Sequence, residues 1–124
     1  MADLFLDTLP CNAHTTASEA LWAGLPVLTR IGDTFAGRVA ASVLAAVGLP
    51  ELIVATQEAY EATAIDLAAN PDRLRALKEK LARNRLTAPL FDTRLYATRL
   101  ESAFEAMHAR RLANLPPDDI HVPA

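Results

Sequence analysis

The side chains of this chain that could do chemistry are concentrated at residues 14–19, with the sequence HTTASE. This stretch follows an apolar segment at residues 4–6 and precedes another that begins at Pro26, a pattern that predicts a helix starting between two strands. The first N–H groups of a helix lack internal partners and carry the positive end of the helix dipole. A helix start of this kind binds anions such as phosphate, and the small hydroxyls of Thr15 and Thr16 suit that role.

The spacing of the side chains around this helix start leaves two interpretations open. Glu19 lies three residues after Thr16, so both share one face of the helix, where a carboxylate can accept hydrogen bonds from ribose hydroxyls. The same spacing is that of a capping box, in which the two side chains only satisfy unpaired backbone amides. His14 is either a partner for a phosphate or a packed or solvated loop residue.

Apolar stretches and helical periodicities predict the elements that must position these residues. The predicted strands are residues 4–6, 26–29 and 51–54, and the predicted helices cover 15–23 and 36–47 and then follow Thr56, Asn70 and Asp92. Gly24 and Gly48 are expected to end the first two helices in a left-handed conformation. Strands alternating with helices predict an α/β fold: a partial Rossmann-like, three-layer unit with a short parallel sheet of about three strands flanked by helices, and a helical carboxyl-terminal half.

A second loop is expected to lie beside the first. It follows the predicted strand at residues 26–29 and carries Asp33 and Arg38, at the carboxyl end of a strand, where open α/β sheets bind ligands. Both residues are candidates for a second wall of the pocket. Arg38 either faces a phosphate or pairs with a surface carboxylate.

Three further expectations concern apolar residues and the end of the chain. Trp22 is predicted to be a core residue and not a base-stacking one, and residues 88–91 are predicted to be an extended crossing segment. The last helix is predicted to present a core face made of Tyr96, Leu100, Ala103, Phe104 and Met107. The domain is expected to cover residues 1–111, and residues 112–124 are expected to be a disordered tail.

Composition excludes several classes of function. The 124 residues are 52% hydrophobic but only 6% aromatic, which is typical of closely packed helices in one domain. The formal net charge is -3 and the basic residues are spread along the chain, which argues against a nucleic-acid partner. A single cysteine rules out an internal disulfide and indicates a reducing, cytoplasmic compartment. Because long apolar runs and clustered metal-ligand residues are missing from the sequence, neither a membrane partner nor a metal is expected.

Three blocks of the sequence resemble the O-linked N-acetylglucosamine transferase family, including its bacterial and SPINDLY-type members. They occur in family order at residues 3–29 (with DLFLDTLPCNAHTT and ALWAGLPVLT), 32–53 (with GDTFAGRVAAS and VGLPELI) and 84–93 (NRLTAPLFDT). The resemblance implies a two-lobed GT-B glycosyltransferase. This chain would correspond to the carboxyl-terminal part of its nucleotide-sugar-binding lobe. In such enzymes the last helix crosses back to the other lobe, so the resemblance implies that part of the apolar face of the last helix is exposed in this chain.

The resemblance also implies roles for individual residues. His14, Thr15 and Thr16 match the family residues that contact the diphosphate of the nucleotide sugar, and Glu19 matches an acidic residue that contacts the ribose. Glu19 departs from the aspartate of some members. Cys11 matches a cysteine close to the donor pocket of some relatives, and its alternative is a small buried residue on a loop.

By the same resemblance, the parent protein is expected to transfer N-acetylglucosamine from UDP-N-acetylglucosamine to serine or threonine of a protein acceptor, without metal or other cofactor. The resemblance implies that an amino-terminal catalytic lobe and tetratricopeptide repeats complete the parent protein. No catalytic base is expected within this chain, which alone would be inactive. The alternatives are a SPINDLY-type transferase that uses a GDP-sugar (fucose), and a non-catalytic module that binds nucleotide sugars as a scaffold.

Overall fold

The computed structural model describes residues 2–122. Its regular elements, in chain order, are β1 (Phe5–Leu6), α1 (Thr15–Trp22), β2 (Val27–Arg30), α2 (Val39–Ala46), β3 (Ile53–Val54), α3 (Gln57–Ala69), α4 (Pro71–Asn84) and α5 (Thr93–Leu112). Short 3-10 turns precede β3 at Pro50–Leu52 and α5 at Pro89–Phe91. The chain divides into one compact unit that ends at Phe91 and a second that begins at Asp92.

The first unit is built on a three-stranded parallel sheet with the order β1-β2-β3. Phe5 pairs with Val27 across β1 and β2, and Thr29 pairs with Ile53 across β2 and β3. The middle strand is buried, as expected for a strand of a parallel sheet covered by helices. Because all three strands run in the same direction, the loops that follow them emerge at one edge of the sheet.

Helices cover this sheet and complete the core of the first unit. α1 and α2 contact each other and β2, and α3 contacts β2 and α4. The fully buried side chains are mainly leucine and valine. They come from the middle strand, from helices α1 to α4 and from the segment between α2 and β3: Leu21, Val27, Leu28, Leu44, Val47, Leu49, Leu52, Leu67 and Leu81. The predicted α/β class, with a short parallel sheet flanked by helices, is confirmed.

Several predicted helix boundaries are also confirmed. Gly24 and Gly48 follow α1 and α2 with φ of 85° and 76°, a conformation that glycine adopts without a steric cost. Thr56 caps α3 by accepting the N–H of Ala59 at 3.1 Å, and Asp92 caps α5 by accepting the N–H of Leu95 at 2.8 Å.

Two segments predicted to be extended contain 3-10 turns. Residues 51–54 were expected to form the third strand, but the strand begins only at Ile53, because the Leu52 N–H closes a turn onto the Leu49 carbonyl at 3.2 Å. The predicted crossing segment at residues 88–91 is also wrong. There the Ala88 N–H bonds the Asn84 carbonyl at 2.6 Å, so the chain keeps turning after α4.

One prediction about an apolar side chain is wrong as well. Trp22 is 56% exposed, with its ring 5.0 Å from that of Phe91 between centroids, because α1 turns Ala17 and Leu21 toward the core instead. The apolar face of α5 is also exposed, which the resemblance had implied for part of it: among the described residues of the second unit, no other helix or strand is present to cover it. Tyr96 and Phe104 are 68% and 58% exposed.

Between α5 and residue 122, the last described residue, the chain forms no regular element. Arg110 donates to the Pro116 carbonyl at 2.6 Å and to Asp118 at 3.0 Å, while Pro123 and Ala124 lie outside the described residues. The boundary at residue 111 and the disordered tail stay predictions. Across residues 2–122, no helix combines the length and the apolar character that crossing a membrane requires.

Candidate functional site

The start of α1 is exposed at the edge of the sheet where β1 ends. His14 occupies the position before the helix, and His14, Thr15 and Thr16 are all exposed. The first helical hydrogen bond runs from the Ser18 N–H to the His14 carbonyl at 3.2 Å. The N–H groups of Thr15, Thr16 and Ala17 precede that bond and have no partner within the helix. Thr15 and Thr16 are exposed, so their amides are available to an external acceptor, whereas Ala17 is 1% exposed.

The capping-box interpretation of Thr16 and Glu19 is wrong. Because the helix already begins at Thr15, Thr16 lies inside its first turn and cannot act as the N-cap. His14, which holds the cap position, makes no side-chain hydrogen bond to the helix. Glu19 is exposed one turn into α1. Its predicted contact with a ribose stays a prediction.

A buried carboxylate fixes the loop that leads to this helix. Asp7 is 5% exposed and accepts two hydrogen bonds, from the Ala13 N–H at 2.7 Å and from the Thr29 hydroxyl at 2.6 Å. The Tyr60 hydroxyl on α3 donates to the Asp7 carbonyl at 2.7 Å. Burial raises the pKa of Tyr60, and the nearby Asp7 charge raises that pKa further.

Sequence reasoning missed Asp7, Thr29 and Asn12 as parts of this site. The available signal was polarity in an apolar setting: Thr29 lies in a buried strand and is 0% exposed, and Asp7 directly follows another strand. Asn12 is 4% exposed and donates from Nδ2 to the Thr8 carbonyl at 3.1 Å. Among residues 2–122, its Oδ1 has no hydrogen-bond partner.

The loop after β2 packs against the loop after β1. The Asn12 N–H donates to the Ala36 carbonyl at 2.9 Å, and the His14 and Phe35 rings meet edge to face at 6.2 Å between centroids. Glycines allow the close approach here: a β-carbon on Gly32 or Gly37 would lie 3.1 Å or 3.2 Å from the Leu9 Cδ2 and 3.3 Å from a backbone atom, so its neighbours would have to shift. The two loops therefore form one surface at the carboxyl edge of the sheet.

The remaining candidate residues lie on these two loops. Asp33 and Arg38 are exposed on the loop after β2, and neither forms an ion pair within the part of the chain that the structure describes. Cys11 is exposed on the loop after β1, so its alternative as a small buried residue is wrong. In the described part of the chain, no three histidine, cysteine or carboxylate side chains are grouped so that they could hold a metal.

A separate groove lies between the turn at Pro50–Leu52, α3 and α4. It has a volume of about 240 Å³ and a floor formed by Leu67 and Leu77. Its cations are already paired, Arg73 with Asp66 and Lys80 with Glu51. The groove therefore offers no unpaired charge to select a ligand, unlike the exposed start of α1.

Comparison with known proteins identifies the family. The family model described as "Glycosyl transferase family 41" matches residues 1–100 of the chain. The chain belongs to glycosyl transferase family 41. A single-site mutant of the Thermobaculum terrenum O-GlcNAc transferase superposes on 85% of this chain with a TM-score of 0.79 and 40% sequence identity, and 20% of that structure is covered.

Curated members of the family give the same result. The chain is 44% identical over 108 residues, or 86% of its length, to the probable UDP-N-acetylglucosamine–peptide N-acetylglucosaminyltransferase SEC of Arabidopsis thaliana. It is 37% identical over 120 residues, or 97% of its length, to the enzyme of that activity from Caenorhabditis elegans, and 34% identical over 110 residues, or 89% of its length, to a probable one named SPINDLY from Hordeum vulgare. The alignments cover 11%, 10% and 12% of these relatives, so the chain spans about a tenth of their length.

The resemblance read from the sequence blocks is thereby confirmed, and with it the membership of the chain in a family of glycosyltransferases. The residue roles inferred from that resemblance stay predictions. The structure brings His14, Thr15, Thr16 and the loop that carries Asp33 and Arg38 to one surface.

Proposed function

We propose that this chain forms the diphosphate-binding part of the donor site of a protein O-N-acetylglucosaminyltransferase, with UDP-N-acetylglucosamine as the donor. The observation that carries the proposal is the open start of α1: an exposed helix end without a side-chain cap, at the strand edge where parallel α/β sheets bind ligands. The names of the relatives supply the donor and the transferred group.

The chemistry follows from where negative charge develops. When the sugar leaves the diphosphate, the departing phosphate oxygens gain charge, and preorganised donors aimed at them lower the barrier. The amides of Thr15 and Thr16 are such donors, and the two threonine hydroxyls and the His14 imidazole add further ones. Glu19, one turn on, is our candidate for the ribose hydroxyls. This arrangement holds the diphosphate without a metal, which is part of the proposal.

UDP is favoured over GDP by the names of the relatives. The names of the Arabidopsis SEC protein, the Caenorhabditis elegans enzyme and the barley SPINDLY protein all specify UDP-N-acetylglucosamine. The other partners, namely a protein acceptor, a second catalytic lobe and tetratricopeptide repeats, belong to the proposal for the whole protein. We expect the isolated chain to bind nucleotide weakly and to transfer no sugar.

Titration calorimetry with UDP, GDP and inorganic pyrophosphate tests the proposal. Binding of pyrophosphate and UDP, with UDP bound at least as tightly, is the expected result, since the diphosphate provides the main contacts. Tighter binding of GDP than of UDP would favour the SPINDLY-type alternative. Failure of millimolar UDP and pyrophosphate to bind would contradict the proposal.

A further inference from the structure

Asp7 is a buried carboxylate to which the proposed chemistry assigns no contact with the donor. It lies one residue after β1 and is 5% exposed. Burying a carboxylate is costly unless its oxygens accept hydrogen bonds. Each of its two oxygens accepts one, from the Ala13 N–H at Oδ1 and from the Thr29 hydroxyl at Oδ2.

The two donors lie on different parts of the unit. Ala13 is the last residue before His14 and is part of the loop, whereas Thr29 is 0% exposed on the middle strand of the sheet. Hydrogen bonds to a carboxylate are shorter and stronger than those between neutral groups, and these measure 2.7 Å and 2.6 Å. Asp7 therefore ties the chain immediately before the helix start to the buried middle strand.

Two further bonds restrain the same loop from other sides. The Tyr60 hydroxyl holds the Asp7 carbonyl from α3, and the Asn12 N–H holds the Ala36 carbonyl of the neighbouring loop. Neither of them reaches Ala13. Within the described residues, the Asp7 carboxylate is thus the partner that fixes the Ala13 amide, and through it the direction in which the following residues enter α1.

We propose that Asp7 is a positioning residue that orients His14 and the first amides of α1 toward the diphosphate of the donor. This inference rests on the proposed function. It predicts that losing the two hydrogen bonds weakens binding and that losing the charge alone does not, because the orientation of the loop is the proposed cause. A preorganised set of donors loses affinity when its support is loosened, even when the donors themselves are unchanged.

Three variants separate these contributions. In Asp7→Asn the amide oxygen can still accept from Ala13, while its NH2 donates to the Thr29 oxygen and the Thr29 hydroxyl turns to the Arg30 carbonyl, 3.5 Å away. Asp7→Ala removes both acceptors. Thr29→Val removes one donor with little change of shape, and it keeps the test open if Asp7→Ala does not fold. Thr56→Ala, which removes the cap of α3, is the control for a loss of stability alone.

The first readout is the affinity for UDP by calorimetry, and the second is the Ala13 amide proton shift and its exchange rate by NMR. We expect Asp7→Ala and Thr29→Val to weaken UDP binding by about tenfold or more, since small misplacements of binding groups have effects of this size. Asp7→Asn should bind within about threefold of wild type, because it keeps both bonds. In wild type and in Asp7→Asn, the Ala13 amide proton should be shifted downfield and protected from exchange with solvent. In Asp7→Ala it should show neither the downfield shift nor the protection.

The outcomes distinguish the two proposals. If wild type binds UDP and Asp7→Ala and Thr29→Val bind it equally well, the positioning role is refuted while the proposed function stands. Asp7→Asn binding as weakly as Asp7→Ala would also refute it, because the charge and not the hydrogen bonds would then be responsible. If wild type does not bind UDP, the proposed function fails and the positioning role fails with it. Thr56→Ala should keep wild-type affinity.

Discussion

The starts of α1 and α3 differ although both helices follow strands of the same parallel sheet. At α3, the Thr56 hydroxyl accepts the Ala59 N–H, and Glu58 lies in the first turn. Hydrogen bonds from its own backbone N–H and from Thr56 lower the pKa of Glu58. At α1, the N-cap side chain of His14 makes no bond to the helix, and the first turn contains no acidic residue.

At α3, side chains of the helix start accept hydrogen bonds from the first backbone amides, whereas at α1 the amides of Thr15 and Thr16 are available to a ligand. The donors of α3 have intramolecular acceptors and gain little from an anion. The donors of α1 keep their positive potential, because neither the cap residue nor the first turn supplies a side-chain acceptor for them. The comparison also explains why a capping-box signature at Thr16 and Glu19 was misleading: α1 begins one residue before Thr16.

The largest expected effect comes from supplying α1 with the negative charge that it lacks. In His14→Asp, a carboxylate at the helix start occupies the same positive potential and repels the diphosphate, so we expect UDP binding to weaken by about 100-fold or more. Calorimetry measures the change. Thr56→Asp at α3 is the matched control and should leave UDP binding unchanged. Wild-type affinity in His14→Asp would show that the diphosphate does not bind at α1.

Removing single hydroxyls should have a smaller effect. Thr15→Val and Thr16→Val each remove one hydrogen bond to a charged group, worth about 1.5–3 kcal/mol, and partial exposure favours the lower end. We therefore expect UDP affinity to fall by about tenfold for each variant, since 1.4 kcal/mol corresponds to a factor of ten. Thr56→Val serves as the control. Unchanged affinity in both variants would restrict the binding site to backbone amides.

For protein stability, we expect the substitution at the start of α3 to have a larger effect than the substitution at the start of α1. Thr56→Ala removes a formed cap and should lower the free energy of unfolding by about 1 kcal/mol. Thr16→Ala removes no cap and should change it by less than about 0.5 kcal/mol. Urea unfolding followed by circular dichroism gives both values. Equal losses would mean that Thr16 caps α1 in solution.

The smallest expected effect concerns pH and the loop support. The pKa of Tyr60 is raised above its ordinary value of 10.0, so the contribution of its hydroxyl to stability is present below pH 10 and is lost as pH rises through the folded-state pKa. We expect wild type to lose stability above pH 10 more steeply than Tyr60→Phe. Urea unfolding between pH 8 and pH 11 tests this, and parallel curves would contradict it.

Much of the fold followed from local sequence signals. Gly24, Gly48, Thr56 and Asp92 set helix ends by short-range chemistry, which depends on few neighbours and is therefore readable from the sequence. The failure at Trp22 and the exposure along α5 have another cause. Burial depends on what other elements cover a side chain, and an apolar stripe such as that of α5 does not reveal whether a partner element is present.

Only part of the candidate site was predictable from the sequence. Exposure of His14, Thr15 and Thr16 at a helix start agrees with the sequence pattern. The support behind them was not predictable, because the bond from Thr29 to Asp7 joins residues 22 positions apart and the bond from Tyr60 spans 53 positions. Such pairs exist only once the sheet and α3 have assembled, so no spacing rule indicates them.

The most direct test of the account is a titration of isotope-labelled protein with UDP, followed by NMR of the backbone amides. We predict that the largest shift changes fall on Thr15 and Thr16, with smaller ones on the loop from Gly32 to Arg38. The amides at the start of α3, including Ala59, should not move. Saturable changes centred on α3 or elsewhere, with the α1 amides unmoved, would contradict the claim that the open helix start receives the diphosphate.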